Sequence, residues 1–222
     1  MMTAPKKAAF TLIELLVVIS IILIATSVLF MGGGGGGDGM KLSSSQRMVS
    51  SIAQGVRGQA LLKGQRARLI IYSDVASNAQ EPDKMLRFFG VIYQDPDNAN
   101  QWLAASQGSS LPEGIYFDPV LSSKIPGSSW SKASVMNLEY PRQSSQAESG
   151  PQYYFYEFNA NGTMATGFEN SWLVLRAGTL KPNDAGTLAV KFDDPSQANL
   201  KSALIFRRVG STTMVTDPEE IQ

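Results

Sequence analysis

The chain has no cysteine and no histidine. The first absence excludes disulfides, thiol catalysis and cysteine metal sites. It is compatible with export, since many exported domains do without disulfides. The second removes the commonest general base and the commonest transition-metal ligand. An enzyme built on this chain would have to work with carboxylates, lysine or tyrosine. An excess of one charge is missing too: 19 basic residues balance 19 acidic ones, which gives no electrostatic reason to expect a nucleic acid partner. There is no internal repeat. The single low-complexity stretch, glycines 32–37 followed by Asp38 and Gly39, lacks the Lys-Ser/Thr ending and the preceding strand of a phosphate-binding loop.

What the chain does have is a long apolar run. It starts at Ala8 and Ala9, continues through Phe10-Thr11-Leu12-Ile13-Glu14-Leu15-Leu16-Val17-Val18-Ile19, and ends at Met31, with Lys6 and Lys7 just ahead of it. As a helix rising about 1.5 Å per residue, 10–31 is roughly 33 Å long, which suits a hydrocarbon core of about 30 Å. The lysines favour a cytoplasmic N-terminus. Glu14 is the anomaly in the run. An ionisable group in an apolar span is costly unless paired. No cation stands at the three- or four-residue spacing of helical neighbours. Either Glu14 snorkels to the headgroups, or it is a functional residue with a partner outside its own helix. A secretory signal shares the basic start and apolar core, but this run is longer and Glu14 is out of place in one.

The run Ala9-Phe10-Thr11-Leu12-Ile13-Glu14-Leu15-Leu16-Val17-Val18-Ile19 resembles the N-terminal cleavage and methylation motif of type IV pilins and type II secretion pseudopilins. The resemblance implies a leader over 1–9, cleavage by a prepilin peptidase between Ala9 and Phe10, and N-methylation of Phe10. It also implies that Glu14 pairs with the Phe10 amine of a neighbouring subunit, so that Phe10 and Glu14 serve assembly. The family pattern has glycine before the cut, where this chain has Ala9. A subunit of this kind works by assembly and not by catalysis, so no enzymatic activity, cofactor or metal site is expected, although some major pseudopilins bind calcium in a C-terminal loop. Its partners would be the prepilin peptidase, other pilin or pseudopilin subunits and the inner membrane, with no nucleic acid.

Downstream, glycines 32–37 are strongly helix-breaking, at about 1 kcal/mol each relative to alanine. A flexible linker is expected over 32–42 and a soluble domain over 43–222. Helical spacing resumes after Ser43, Ser44 and Ser45, with apolar residues at Met48, Val49, Ile52, Ala53, Val56, Ala60 and Leu61, and stops at Lys63-Gly64. The remainder reads as strands: 66–73, 85–94, 101–105, 114–118, 135–140, 153–159, 172–176, 187–192, 203–209 and 212–215. Turns are expected at Asp95-Pro96-Asp97-Asn98, Asn159-Ala160-Asn161-Gly162 and Val209-Gly210-Ser211-Thr212. The stretches 74–83, 119–132 and 141–151 read as surface loops. The fold class is therefore α+β: an N-terminal transmembrane helix, then one helix packed on an antiparallel β-sandwich or roll. The order of these elements is similar to that of the GspH/FimT-type minor pseudopilins. That resemblance implies a minor pseudopilin contributing to protein secretion, single-pass in the inner membrane with a periplasmic C-terminal domain. A minor pilin for adhesion or DNA uptake, and an anchored domain that never polymerises, are the alternatives.

Other chemistry is sparse. Asp95, Asp97 and Asn98, or Asp193 and Asp194, could offer oxygens to calcium or simply form polar turns. Tyr153, Tyr154, Phe155, Tyr156 and Phe158 could stack on bases or sugars, but strand alternation favours a core role, as it does for Trp102, Trp130 and Trp172. Glu219-Glu220 reads as part of a frayed tail.

Overall fold

The computed structural model describes residues 12–73, 81–124, 135–141, 145–146, 150–182, 188–192 and 195–221. One helix, α1, runs Leu12–Lys63. The break expected at glycine 32 and the linker over 32–42 are not observed, since the helical backbone continues through the glycines. Glycine lowers helix stability but blocks nothing sterically, and helix growth is cooperative. The helical segments on either side carry the run between them. The serines are not caps either: Ser44 and Ser45 donate back to the Lys41 carbonyl at 2.9 and 2.7 Å. Gly64, at φ +60°, ends the helix where the sequence indicates. By compactness the chain divides into two units, Met1–Gly37 and Asp38–Gln222.

In the first unit the described side chains run from Leu12 to Leu23. The membrane span expected over 10–31 extends beyond these side chains; among the described residues no helix is long and apolar enough to cross a membrane.

The second unit is built on antiparallel strands. β1 (Ala67–Tyr72) lies between β2 (Phe88–Gln94) and β8 (Gln152–Phe158). β3 (Gln101–Ala104), β4 (Ser109–Ser110), β6 (Val135–Asn137) and β7 (Ser145–Gln146) complete a seven-stranded sheet. A four-stranded sheet runs in the order β13 (Thr212–Val215), β12 (Lys201–Phe206), β9 (Ser171–Ala177), β5 (Ile115–Phe117). A separate hairpin pairs β10 (Thr179–Pro182) with β11 (Leu188–Lys191). The unit is thus α+β with antiparallel sheets. Asp95–Asn98 does turn β2 back onto β3. The last hairpin turns over Arg207–Ser211, closed by the Arg207 N–H on the Ser211 carbonyl at 2.8 Å.

The stretch 119–132, expected to be loop, opens with a short helix, α2 (Pro119–Lys124). Its cause is local. Asp118 Oδ1 accepts from the Val120 and Leu121 amides at 2.9 and 3.0 Å, and Pro119 stands at the position where a missing N–H costs nothing.

The two sheets and α1 share one core. Val49, Ala53, Val56 and Ala60, at helical spacing, are fully buried with Leu69, Ile71, Phe89 and Tyr156 of the large sheet and Leu173, Leu175, Leu204 and Phe206 of the small one. Strand alternation sends Ile70, Tyr72, Tyr153 and Phe155 to the opposite face of the large sheet. There they meet Met85, Leu86, Trp102 and Met136 in a second core. A third, smaller one joins Val174, Ala203, Ile205, Val215 and Ile221. Ile221 is fully buried, which corrects the reading of Glu219-Glu220 as a frayed tail: they form a turn over Pro218–Glu220, closed by Asp217 Oδ1 on the Glu219 amide.

At one end of this unit the last turns of α1 meet two loops. Arg57 Nε donates to the Gly162 carbonyl at 3.2 Å. Gly210, at φ +80°, lies so close that a Cβ there would stand 1.9 Å from the Gly162 oxygen. Gly210→Ala therefore places a side chain against backbone in a left-handed conformation. It should cost at least about 2 kcal/mol in urea unfolding. Gly58, exposed on α1 with open space around its Cβ position, is the control: Gly58→Ala should stabilise by up to about 1 kcal/mol. Equal midpoints for the two variants would contradict this packing.

Candidate functional site

The motif residues Ala9 and Phe10 lie outside the described residues. Glu14 is in the first turn of α1 and is the acidic residue there. A carboxylate at that end is favoured by the positive end of the helix dipole. Around it the apolar side chains Leu12, Ile13, Leu15, Leu16, Val17, Val18, Ile19, Ile21, Ile22 and Leu23 are 48% to 82% exposed. Ser20 turns its hydroxyl back onto the Leu16 carbonyl at 2.9 Å, so that polar group is satisfied within the helix itself. A helix apolar on every side is stable only with apolar surroundings, either lipid or other helices.

The other sequence candidates resolve into structural roles. Asp95 Oδ1 accepts from the Asp97 amide at 2.9 Å, and Asn98 Oδ1 from the Asn100 amide at 3.1 Å. Both are the side-chain turns that connect β2 to β3. Among the described residues no group of three or more acidic side chains could hold a metal ion. Asp193, Asp194 and Trp130 lie outside the described residues. Of the aromatic run, Tyr153, Phe155, Tyr156 and Phe158 are buried and Tyr154 half-buried; Trp102 is buried and Trp172 half-buried. The packing role, not a stacking platform, is what these residues have.

Two polar constellations in the second unit were not anticipated. On α1, Gln46 Nε2 donates to the Ala203 and Val215 carbonyls, both at 2.9 Å. Ser50 and Gln54 follow at four-residue steps and hydrogen-bond the Thr212 hydroxyl at 2.8 and 3.3 Å. This stripe holds the last hairpin to the helix, and its four-residue spacing was a usable signal. The second is on the large sheet. Arg68 and Glu157 face each other across β1 and β8, joined from Nε and Nη2 to Oε2 at 2.6 and 2.5 Å. The Arg68 guanidinium lies 3.9 Å from the ring centres of both Trp102 and Phe155. Arg66 reaches the other oxygen of Glu157 at 3.2 Å and Gln94 Oε1 at 3.2 Å. Burial lowers the Arg68 pKa, and Glu157 opposes that shift. A strand with arginine where alternation calls for an apolar residue was the sequence signal.

Removing one partner of this pair leaves a charge buried among aromatics. Glu157→Ala should cost about 3–5 kcal/mol in denaturant unfolding. Arg66→Ala, whose side chain is 46% exposed, should cost less than about 1 kcal/mol. The same core sets an alkaline limit. Burial pushes the Tyr153 phenol well above its ordinary pKa, with Tyr72, Glu81 and Tyr140 adding to the shift. The folded state therefore keeps a proton that the unfolded chain loses near pH 10. The stabilisation is complete below about pH 10 and declines as pH rises beyond it. Urea midpoints between pH 8 and pH 11 should show that decline, and Tyr153→Phe should reduce it.

Residues 4–30 match the model of the prokaryotic N-terminal methylation motif. The matched stretch contains Ala9, Phe10 and Glu14. No curated protein matches the chain. The structure is similar to the minor pseudopilin EpsH from the Type 2 Secretion System of Vibrio cholerae at a TM-score of 0.40 and 13% identity, over 80% of this chain and 96% of that one. A likeness of that degree carries no weight on function. The motif over residues 4–30 is the firm likeness, and through it the chain is similar to the type IV pilins and type II secretion pseudopilins.

Proposed function

We propose that this protein is a structural subunit, a minor pseudopilin of a type II secretion pseudopilus, that assembles through its N-terminal helix and has no catalytic role. The observation that carries the reading is the methylation motif with Glu14 in the first turn of a helix whose apolar side chains are exposed. In this reading the leader 1–9 stays in the cytoplasm and is cut off between Ala9 and Phe10. Phe10 is N-methylated, and the helix sits in the inner membrane with the second unit in the periplasm. Apolar helices bundle in the filament, and Glu14 accepts the charged Phe10 amine of the next subunit. That pairing explains why an acidic residue interrupts an otherwise apolar run. The choice of secretion over a type IV pilus rests on the order of elements in the second unit, a helix followed by antiparallel sheets.

Glu14→Ala separates assembly from insertion. The variant removes an acidic group from an apolar segment, so insertion of each monomer should be unchanged or slightly easier. The neighbour's ammonium loses its partner in a low-dielectric setting, which costs roughly 3–5 kcal/mol, or on the order of 100-fold or more in association. The chain has no cysteine of its own, so Leu16→Cys gives a clean helix–helix crosslinking probe in membranes. Crosslinked dimer should be abundant when Glu14 is kept and nearly absent in the Glu14→Ala variant at equal expression. Equal crosslinking in both would mean that Glu14 only snorkels. Mass spectrometry of the mature protein should find methylated Phe10 as the first residue; an uncut Met1 would refute the processing.

A further inference from the structure

We propose that residues 32–37 of α1 are a helix–coil hinge: helical in the resting chain, and opening reversibly long before the second unit unfolds. The first ground is composition. Six consecutive glycines lie inside a helix that runs Leu12–Lys63, and each opens about fivefold more readily than alanine at the same place. The second ground is what these glycines do not do. Glycine in a fold usually serves a close approach or a left-handed backbone. Gly210 does both, whereas a Cβ on Gly37 or Gly39 would meet nothing within 4 Å, and neither has a positive φ. At Gly37 and Gly39, neither packing nor backbone geometry requires glycine. What remains is the effect on helix stability.

The third ground is position. The boundary between the two compact units falls between Gly37 and Asp38. Immediately beyond it the helix acquires tertiary partners: Asp38 accepts from Gln197 at 3.4 Å, and Leu42 and Ser45 are buried. Before it come the exposed apolar residues from Leu12 to Leu23. The glycines thus lie between a segment that apolar surroundings hold helical and one that tertiary packing holds helical. Opening six residues changes their length from about 9 Å as helix to as much as about 20 Å extended. Opening therefore lengthens this stretch by up to about 11 Å and costs the second unit none of its own contacts. The hinge operates whether or not the chain polymerises.

Amide hydrogen exchange on the full chain in dodecyl maltoside micelles tests this. Amides of 33–37 should exchange on the order of 100-fold faster than those of 49–60. The triple variant Gly33→Ala, Gly35→Ala, Gly37→Ala should slow them by a further factor of about 100 and leave 49–60 unchanged. Protection at 33–37 equal to that at 49–60 in the unaltered chain would overturn the hinge. So would a triple variant that exchanges as fast as the original, because the glycines would then not be the cause.

Discussion

One face of α1 sets the arrangement of the second unit. Val49, Ala53, Val56 and Ala60 are fully buried against residues of both sheets. Two of the four are alanine, which lets the helix backbone come close and leaves the volume to the large side chains opposite. Tyr156 of β8 and Phe206 of β12 stack there at 4.5 Å, one from each sheet. Burying each valine contributes about 1.5–3 kcal/mol, and the same surface holds both sheets in place. The helix is thus an element against which both sheets pack.

Hydrophobic burial alone would allow the helix to slide along the sheets. The polar stripe Gln46, Ser50, Gln54 and Arg57 removes that freedom, because each reaches a defined acceptor or hydroxyl on the last hairpin or the loop at Gly162. The Arg68–Glu157 pair acts similarly across the large sheet. A charge pair in an apolar face contributes little net stability, but it makes any other register of β1 on β8 costly. Burial of the Tyr153 phenol in the second core, on the same face, makes alkaline titration a weak point of that core.

Much of this was legible in the sequence. The apolar spacing from Val49 to Ala60 marked the buried face of α1, and Lys63-Gly64 marked its end. Asp95-Pro96-Asp97-Asn98 marked a hairpin, because those side chains hydrogen-bond their own backbone whatever surrounds them. The motif around Phe10 and Glu14 was legible for a similar reason: its meaning lies in residue types at fixed positions in one continuous stretch. Misreadings occurred where a local preference met a stronger context. Glycines 32–37 suggested a break, but the helical segments on either side carry the backbone through. Residues 119–124 read as loop because six residues give no periodicity, although Asp118-Pro119 is a good helix start.

What the sequence alone determined is the division of labour along the chain. An apolar helix with a single acid comes first, then glycine, then a domain whose strands alternate. Each of these is a property of neighbours along the chain, and short-range physical chemistry is enough to read it. What only the tertiary structure decided is which strands pair, that Glu157 lies opposite an Arg68 whose guanidinium packs on Trp102 and Phe155, and that Gln46 meets carbonyls of two adjacent strands. The Arg68–Glu157 and Gln46 contacts join residues 89 to 169 positions apart. They depend on the summed burial of many side chains that have no local signature, and so on the packed core rather than on any one stretch of sequence.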